Sequence, residues 1–142
     1  MNYEEMQNFL TVTIKNAYLQ IESVNIETQF AINDYVTNCD LIIEKYIIDN
    51  IKKIYPNIAI MSEEFNKQYV DGTYFVIDPI DGTANFSTNL DLWGIQIAYI
   101  ENNDCKVSSI YFPKLNIVVE TIKGKGTFIN GEKGEIKKFD VL

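Results

Sequence analysis

Residues 74–83 read Tyr-Phe-Val-Ile-Asp-Pro-Ile-Asp-Gly-Thr, an apolar run that ends in two carboxylates placed three positions apart. A strand that ends at Asp78 fixes one oxygen ligand, and the proline after it restricts the backbone so that Asp81 can turn back. Hard divalent cations such as Mg²⁺ prefer carboxylate oxygens. Gly82 and Thr83 follow with backbone N–H groups at a predicted helix start, where phosphate binds favourably. The segment therefore predicts a site for a metal ion and a phosphate group.

The apolar pattern around this segment predicts an α+β fold. Spacings of three and four predict one helix over residues 5–22 and a second from about Cys39 to Tyr55, with Pro56 ending it. The period then changes to that of strands, over residues 58–61, 73–77, 94–100, 106–112 and 116–122. Two helices followed by hairpin-linked strands predict two helices packed on one face of a mainly antiparallel sheet. We expect residues 1–142 to form a single domain.

Other carboxylates converge on the same edge of the predicted sheet. Glu63 and Glu64 directly follow the strand at 58–61, as Asp78 follows the strand at 73–77. Two strand ends can therefore present carboxylates to one edge. Asp40 begins the second helix, where its side chain can reach either the local backbone or this edge. We predict that the site lies there.

Composition excludes several other chemistries. The chain has no histidine, so Ser-His-Asp, Cys-His and histidine-ligated zinc mechanisms are closed to it. Its two cysteines, Cys39 and Cys105, cannot build a thiolate cluster and are expected to be free thiols. A formal charge of -8 argues against nucleic-acid partners, and without a signal or membrane-spanning segment we expect a cytoplasmic protein without membrane contact.

Two common phosphate and metal motifs are also absent from the sequence. With Asp78 as position one, an EF-hand would need a glutamate at position twelve, where Asn89 stands, and an oxygen ligand at position three, where Ile80 stands. No Gly-Lys-Ser or Gly-Lys-Thr of a P-loop occurs. An acidic chain that handles phosphate by other means is expected to recruit a metal ion.

Four segments in order resemble the inositol monophosphatase family of Mg²⁺-dependent, lithium-sensitive phosphatases. They are Asp34–Asp40, the pair Glu63-Glu64, the run Asp78–Phe86 and the glycine-rich stretch Gly124–Gly131. The resemblance implies the N-terminal, metal-binding part of the sugar phosphatase fold. It also implies hydrolysis of inositol phosphate or a related sugar or polyol phosphate.

What the resemblance implies for the site follows position by position. Glu63, Asp78, Asp81 and the main-chain carbonyl of Ile80 would be Mg²⁺ ligands, and Glu63 would also orient the attacking water. The hydroxyl of Thr83, paired with Asp40, would polarise that water. The backbone N–H groups of Gly82 and Thr83 would hold the phosphate, so the residues expected around the substrate are Glu63, Ile80, Asp81, Gly82 and Thr83. Bound Mg²⁺ can activate water and stabilise an in-line displacement without a covalent intermediate.

The chain departs from this family in length and at two local positions. Family members are nearly twice as long, and their second half supplies a further aspartate in a Trp-Asp motif, whereas Trp93 here precedes Gly94. Gln29 stands where members often carry a lysine, and Ser87–Asp91 replaces a His-Gly-Phe-Pro type sequence. We therefore expect an N-terminal half whose missing C-terminal half, or self-association, covers the exposed surface. The alternatives are a non-catalytic metal-binding or interaction module or, within the same fold, a fructose-1,6-bisphosphatase or nucleotide 3'-phosphatase.

Each site residue also has a purely structural interpretation. Asp78 and Asp81 can be turn formers, and Glu63 and Glu64 solvated surface charges. Asp40 can complete an N-cap with Thr37, and Thr83 can be a helix cap. Three further segments have structural interpretations only: Gly124 and Gly126 as hairpin glycines, and Lys133–Lys138 as a solvated edge strand.

Overall fold

The structure, a computed structural model, describes residues 2–31 and 34–135, with the backbone alone for 28–31, 34 and 35. In these ranges the chain forms three α-helices: α1 Tyr3–Leu19, α2 Asn38–Ile54 and α3 Thr83–Ser87. The strands in the same ranges are β1 Thr28–Ala31, β2 Asp34–Thr37, β3 Ala59–Ser62, β4 Tyr74–Asp81, β5 Gly94–Glu101, β6 Asp104–Phe112, β7 Ile117–Ile122, β8 Gly126–Ile129 and β9 Glu132–Lys133. The predicted α+β class is confirmed.

Strands β3 to β9 form a seven-stranded sheet in sequence order, and β1 and β2 form a separate antiparallel hairpin. Neighbours from β4 to β9 are antiparallel, so the prediction of a mainly antiparallel sheet is confirmed. Strand β3 differs, because it pairs in parallel with β4 and aligns Ser62 with Ile77. This parallel edge pair brings two strand ends to the same side of the sheet.

Helices α1 and α2 cover one face of the sheet and build the core there. Their inward stripes and the facing strand residues are fully or almost fully buried, including Leu10, Ile14, Ile43, Ile47, Phe75 and Ile97. Apolar residues at spacings of three and four predicted these two helices. Both helices begin and end within three residues of the predicted bounds. No helix in the described ranges is long and apolar enough to cross a membrane.

The opposite face of the sheet is also apolar but less buried. Strand alternation places Val76, Ala98 and Ile110 on this face, and register brings Val76 against Ala98. All three are only half-buried, in contrast to Ile77 and Ile97 beside them. A shallow cavity of about 220 Å³ is lined by these half-buried residues together with Asp78 and Gln96.

Three elements were not expected from apolar periodicity. The hairpin β1–β2 has strands of four residues, and α3 has five, so neither is long enough to display a period. The hairpin β8–β9 follows the glycine-rich stretch, where Gly124 and Gly126 have φ of +83° and +100°. The interpretation of these two glycines as hairpin residues is confirmed. Of the predicted edge strand Lys133–Lys138, residues 136–138 lie outside the described residues.

The two cysteines are both free thiols, as expected. Cys39 is buried in α2, whereas Cys105 is exposed on β6.

Candidate active site

The parallel pairing of β3 with β4 brings Glu63 and Asp78 together. Because Ser62 aligns with Ile77, Glu63, which follows the end of β3, and Asp78, which lies within β4, stand at the same level of the sheet edge. The prediction that the strand ends before Asp78 is wrong, because β4 continues to Asp81. The side chain of Glu63 lies within hydrogen-bonding reach of Asp78. The two carboxyl groups therefore meet at one edge of the sheet, as predicted.

Asp78 is the residue of this pair whose ionised form is disfavoured. Its Oδ1 atom is buried and has no hydrogen-bond partner among the described residues. Burial, assisted by the neighbouring carboxylates of Asp81 and Asp40, raises the pKa of Asp78 to about 6, although the hydrogen bond with Glu63 lowers it. A buried carboxyl oxygen without a partner among the described residues, in a pair of adjacent carboxyl groups, fits a divalent cation.

Asp81 is placed differently from the other two predicted ligands. It ends β4 beyond an irregularity in register between Asp78 and Asp81, and it is exposed. Its Oδ2 accepts a hydrogen bond from Nε2 of Gln96, which lies opposite Asp78 on β5. Within residues 2–31 and 34–135, no three carboxyl or thiol groups are gathered in the geometry of a metal cluster. Two predicted ligands thus meet, while the third faces an amide.

The turn after Asp81 requires glycine and begins a short helix. Gly82 has φ of +91° and caps α3 without a side-chain hydrogen bond. A Cβ atom there would lie 3.1 Å from the carbonyl oxygen of Leu92. Thr83 is the first residue of α3, and its hydroxyl donates to the carbonyl of Ile80 at 2.9 Å. Its interpretation as a helix cap is therefore wrong, and its hydroxyl binds the carbonyl that was predicted to be a metal ligand.

Asp40 has the local role that the sequence left open and is also near Thr83. It is 1% exposed and forms a capping box with Thr37, whose backbone N–H and hydroxyl donate to its Oδ2 at 2.7 Å and 2.5 Å. Burial raises the pKa of Asp40, while its hydrogen bonds from Thr37 lower it, and the Thr83 hydroxyl lies close to the same carboxyl group. The two functions weighed for Asp40 are compatible, because one carboxyl group caps α2 and lies beside Thr83.

An open cavity of about 440 Å³ adjoins the carboxyl pair. Its lining combines the apolar side chains of Met61 and Val76 with Glu63, Asp78 and Lys67. A small polar ligand could enter it and reach the pair. The candidate site is thus a carboxylate pair at a strand edge, with an adjoining cavity and the Asp40–Thr83 neighbours beside it.

Comparison with known proteins assigns this chain and its fold to a family. The sequence profile of the inositol monophosphatase family matches residues 4–140. The chain belongs to this family. It is 38% identical over 109 residues to the "Fructose-1,6-bisphosphatase/inositol-1-monophosphatase" of Thermotoga maritima. This alignment covers 77% of the present chain and 42% of that protein.

Solved structures support the same assignment. The chain matches a Thermotoga maritima IMPase with a TM-score of 0.79 and 32% identity, over 95% of this chain and 53% of the other. It matches an IMPase/NADP phosphatase complexed with Mg²⁺ and phosphate with a TM-score of 0.76 and 25% identity, over 92% and 51%. The family and fold expected from the four segments are confirmed. The chain spans about half the length of the curated relatives it matches.

In this inositol monophosphatase family member, sequence reasoning missed three residues around the site. Gln96, which holds Asp81, stands out only as a polar residue inside the apolar strand β5. Lys67 lines the cavity, with its Nζ 3.9 Å from Oε2 of Glu64. The side chain of Glu64 is only 9% exposed, so its interpretation as a solvated surface charge is wrong. Burial raises the pKa of Glu64. The third residue is Glu44, a buried charge that the apolar pattern of α2 hides.

Proposed function

We propose that this chain is the metal-binding half of a Mg²⁺-dependent phosphatase that hydrolyses inositol phosphate or a related sugar or polyol phosphate. One observation carries the proposal: the half-buried Asp78, whose buried Oδ1 has no hydrogen-bond partner among the described residues, lies beside Glu63 at the edge formed by the parallel strands β3 and β4. Family membership supports the reaction class, and the Mg²⁺ and phosphate of a solved relative support the cofactor.

Four groups would hold the cation: Glu63, Asp78, Asp81 and the carbonyl of Ile80. When bound there, Mg²⁺ would lower the pKa of a water molecule and offset negative charge on the phosphate. Asp81 would have to exchange its hydrogen bond from Gln96 for the cation, a change in one exposed side chain. Asp78 and Glu63 would bind the cation in their ionised forms, so protons would compete with the cation as the pH falls.

Asp40 and Thr83 would orient the attacking water. The Thr83 hydroxyl lies close to the Asp40 carboxyl, and rotation away from the Ile80 carbonyl would let it donate to Asp40. Its oxygen would then accept a hydrogen bond from the water. The N–H groups of Gly82 and Thr83 would bind phosphate oxygens, as the family resemblance implies.

The test is Mg²⁺-dependent phosphate release by the 142-residue chain from inositol 1-phosphate, fructose 1,6-bisphosphate and adenosine 3',5'-bisphosphate. We expect Asp81→Asn to remove this release, since the exposed carboxylate is the ligand that must turn to the metal. Asp91→Asn, which removes an exposed carboxylate from the nearby loop, is the charge-matched control and should retain it. Turnover by Asp81→Asn at the rate of the unaltered chain would refute the assignment. The preferred substrate would distinguish the three activities.

The second candidate is a non-catalytic metal-binding or interaction module. It is favoured by the half-length match and by the half-buried apolar face at Val76, Ala98 and Ile110. Such a face would be covered by a complementary C-terminal half or by a second copy of the chain. Size-exclusion chromatography with light scattering tests self-association: we expect a dimer or larger species, and a strictly monomeric chain would count against it. A cytoplasmic location without nucleic-acid or membrane partners remains part of the proposal.

A further inference from the structure

Glu44 is a charged residue in the core of the helix layer. It lies on α2 between Ile43 and Ile47 on the buried stripe and is 0% exposed. A buried carboxylate is costly unless hydrogen bonds compensate for the lost water. It also stands one helical turn after Asp40. An apolar residue at this position of the stripe would need no compensation, so the presence of Glu44 there requires an explanation.

The compensation comes from a single loop, the one that carries Glu63. Oε1 of Glu44 accepts hydrogen bonds from the Ser62 hydroxyl at 2.5 Å and the Phe65 N–H at 2.7 Å. Oε2 accepts from the Glu64 N–H at 2.8 Å. The loop is closed on itself as well, because Ser62 and Asn66 exchange backbone and side-chain hydrogen bonds. Residues on both sides of Glu63 are thus attached to one carboxylate.

We propose that Glu44 is a positioning residue that aims the Glu63 carboxylate at Asp78 and thereby sets the metal affinity of the site. Glu44 holds the Ser62 side chain before Glu63 and the backbone N–H groups of residues 64 and 65 after it, so the direction of the Glu63 side chain follows from that attachment. Helix α2 then supports both sides of the site, with Asp40 at its start and Glu44 beneath the loop. This inference rests on the proposed function, because it assumes that Glu63 and Asp78 hold a cation.

Glu44→Gln is the variant that tests the attachment. The amide keeps the shape of the side chain, but its NH₂ group cannot accept, so at least one loop donor loses its partner. Asp49→Asn is the matched control: it removes one negative charge from the same helix at an exposed position paired with Lys45. Mn²⁺, which can be followed by electron paramagnetic resonance, serves as the probe cation.

We expect Glu44→Gln to weaken Mn²⁺ binding by about tenfold or more, as is usual when a partner behind a metal ligand is removed. Asp49→Asn should leave it unchanged. Without metal, hydrogen exchange at the Glu64 and Phe65 amides should be faster in Glu44→Gln than in the control. Unchanged Mn²⁺ affinity in a folded Glu44→Gln chain would overturn the inference.

A double-mutant cycle with Glu63→Gln separates positioning from a general loss of structure or charge. If Glu44 acts through Glu63, its replacement should have almost no further effect on Mn²⁺ affinity once Glu63 is gone. An equal loss in both backgrounds would overturn the inference.

Two further outcomes also test the role of Glu44. If Glu44→Gln does not fold, Ser62→Ala removes one of the three loop donors and leaves the carboxylate. It should then weaken Mn²⁺ binding, and an unchanged affinity would overturn the inference. If the unaltered chain itself binds no Mn²⁺, the proposed function fails, and this inference fails with it. If the unaltered chain binds and the variants bind equally, only the inference fails.

Discussion

Replacement of Asp78 by asparagine should stabilise the metal-free chain at neutral pH. The Oδ1 atom of this carboxyl group is buried and has no partner among the described residues. Burial raises the pKa of Asp78 from 3.8 to about 6. At 1.36 kcal/mol per pH unit this corresponds to about 3 kcal/mol, and the residue's partial exposure reduces the expected effect to about 2 kcal/mol. Asparagine has nearly the same shape and carries no charge, so it avoids this cost.

The sign of the pH dependence follows from proton binding. Because the pKa is raised by folding, the folded chain binds the proton of Asp78 more tightly than the unfolded chain does. This contribution to stability is fully present below pH 3.8 and is lost as the pH rises through about 6. The free energy of unfolding of Asp78→Asn minus that of the unaltered chain should therefore be small at pH 3.5 and grow to about 2 kcal/mol at pH 7.

Urea unfolding of both chains across this pH range, with a chelator present, measures the difference directly. Carboxyl groups distant from Asp78 change the stability of both chains alike and cancel in the subtraction, whereas Glu63, Asp40 and Asp81 interact with Asp78 and contribute to the measured difference. Excess Mg²⁺ should reverse the order, because only the unaltered chain retains the ligand and gains stability from binding. A difference in unfolding free energy that stays constant from pH 3.5 to pH 7 would refute the argument that burial disfavours the ionised form of Asp78.

Two stability predictions concern the backbone around the site. Gly82→Ala should destabilise the chain by about 2 kcal/mol or more, since an alanine at φ +91° is strained and its Cβ would lie 3.1 Å from the Leu92 carbonyl oxygen. Urea unfolding against Gly72→Ala, where φ is +88° and the space is open, would isolate the contact, and equal losses would contradict it. Thr37→Ala should cost about 1 to 2 kcal/mol by removing the N-cap of α2, whereas Thr37→Ser should retain most of the stability; equal losses would show that the hydroxyl is unimportant.

The fold class could be predicted because its large elements repeat their apolar pattern several times. Helix α2 presents Ile43, Ile47 and Ile51 at spacings of four, all fully buried, and strand β4 alternates buried and half-buried residues up to Asp78. Burial of such a stripe or face is what stabilises these elements, so the pattern and the structure agree. Elements of four or five residues leave no such pattern. Strands β1 and β2 therefore required tertiary information, whereas the start of α3 at Thr83 was predicted from the local sequence and is confirmed.

The candidate site could be predicted as a set of residues but not as an arrangement. Glu63 and Asp78 were placed at one edge because each follows a predicted strand. In the structure β4 continues through Asp78 to Asp81, and the parallel pairing of β3 with β4 is what brings the two side chains together. Asp81 belongs to the same sequence motif, yet an irregularity of register directs it toward Gln96. Register and hydrogen-bond partners depend on strands distant in sequence. A local motif does not encode them.

Different partners stabilise the carboxylates around the Glu63–Asp78 pair. Asp40 accepts hydrogen bonds from Thr37, Asp81 accepts one from Gln96, and Glu44 accepts them from the loop beside Glu63. Asp78 differs from these three, because its buried Oδ1 has no donor among the described residues. The negative charge available to a cation is thus concentrated at one pair, while neutral donors stabilise the carboxylates around it. On the proposed function, a cation would find Glu63 and Asp78 already side by side and would need only the exposed Asp81 to move.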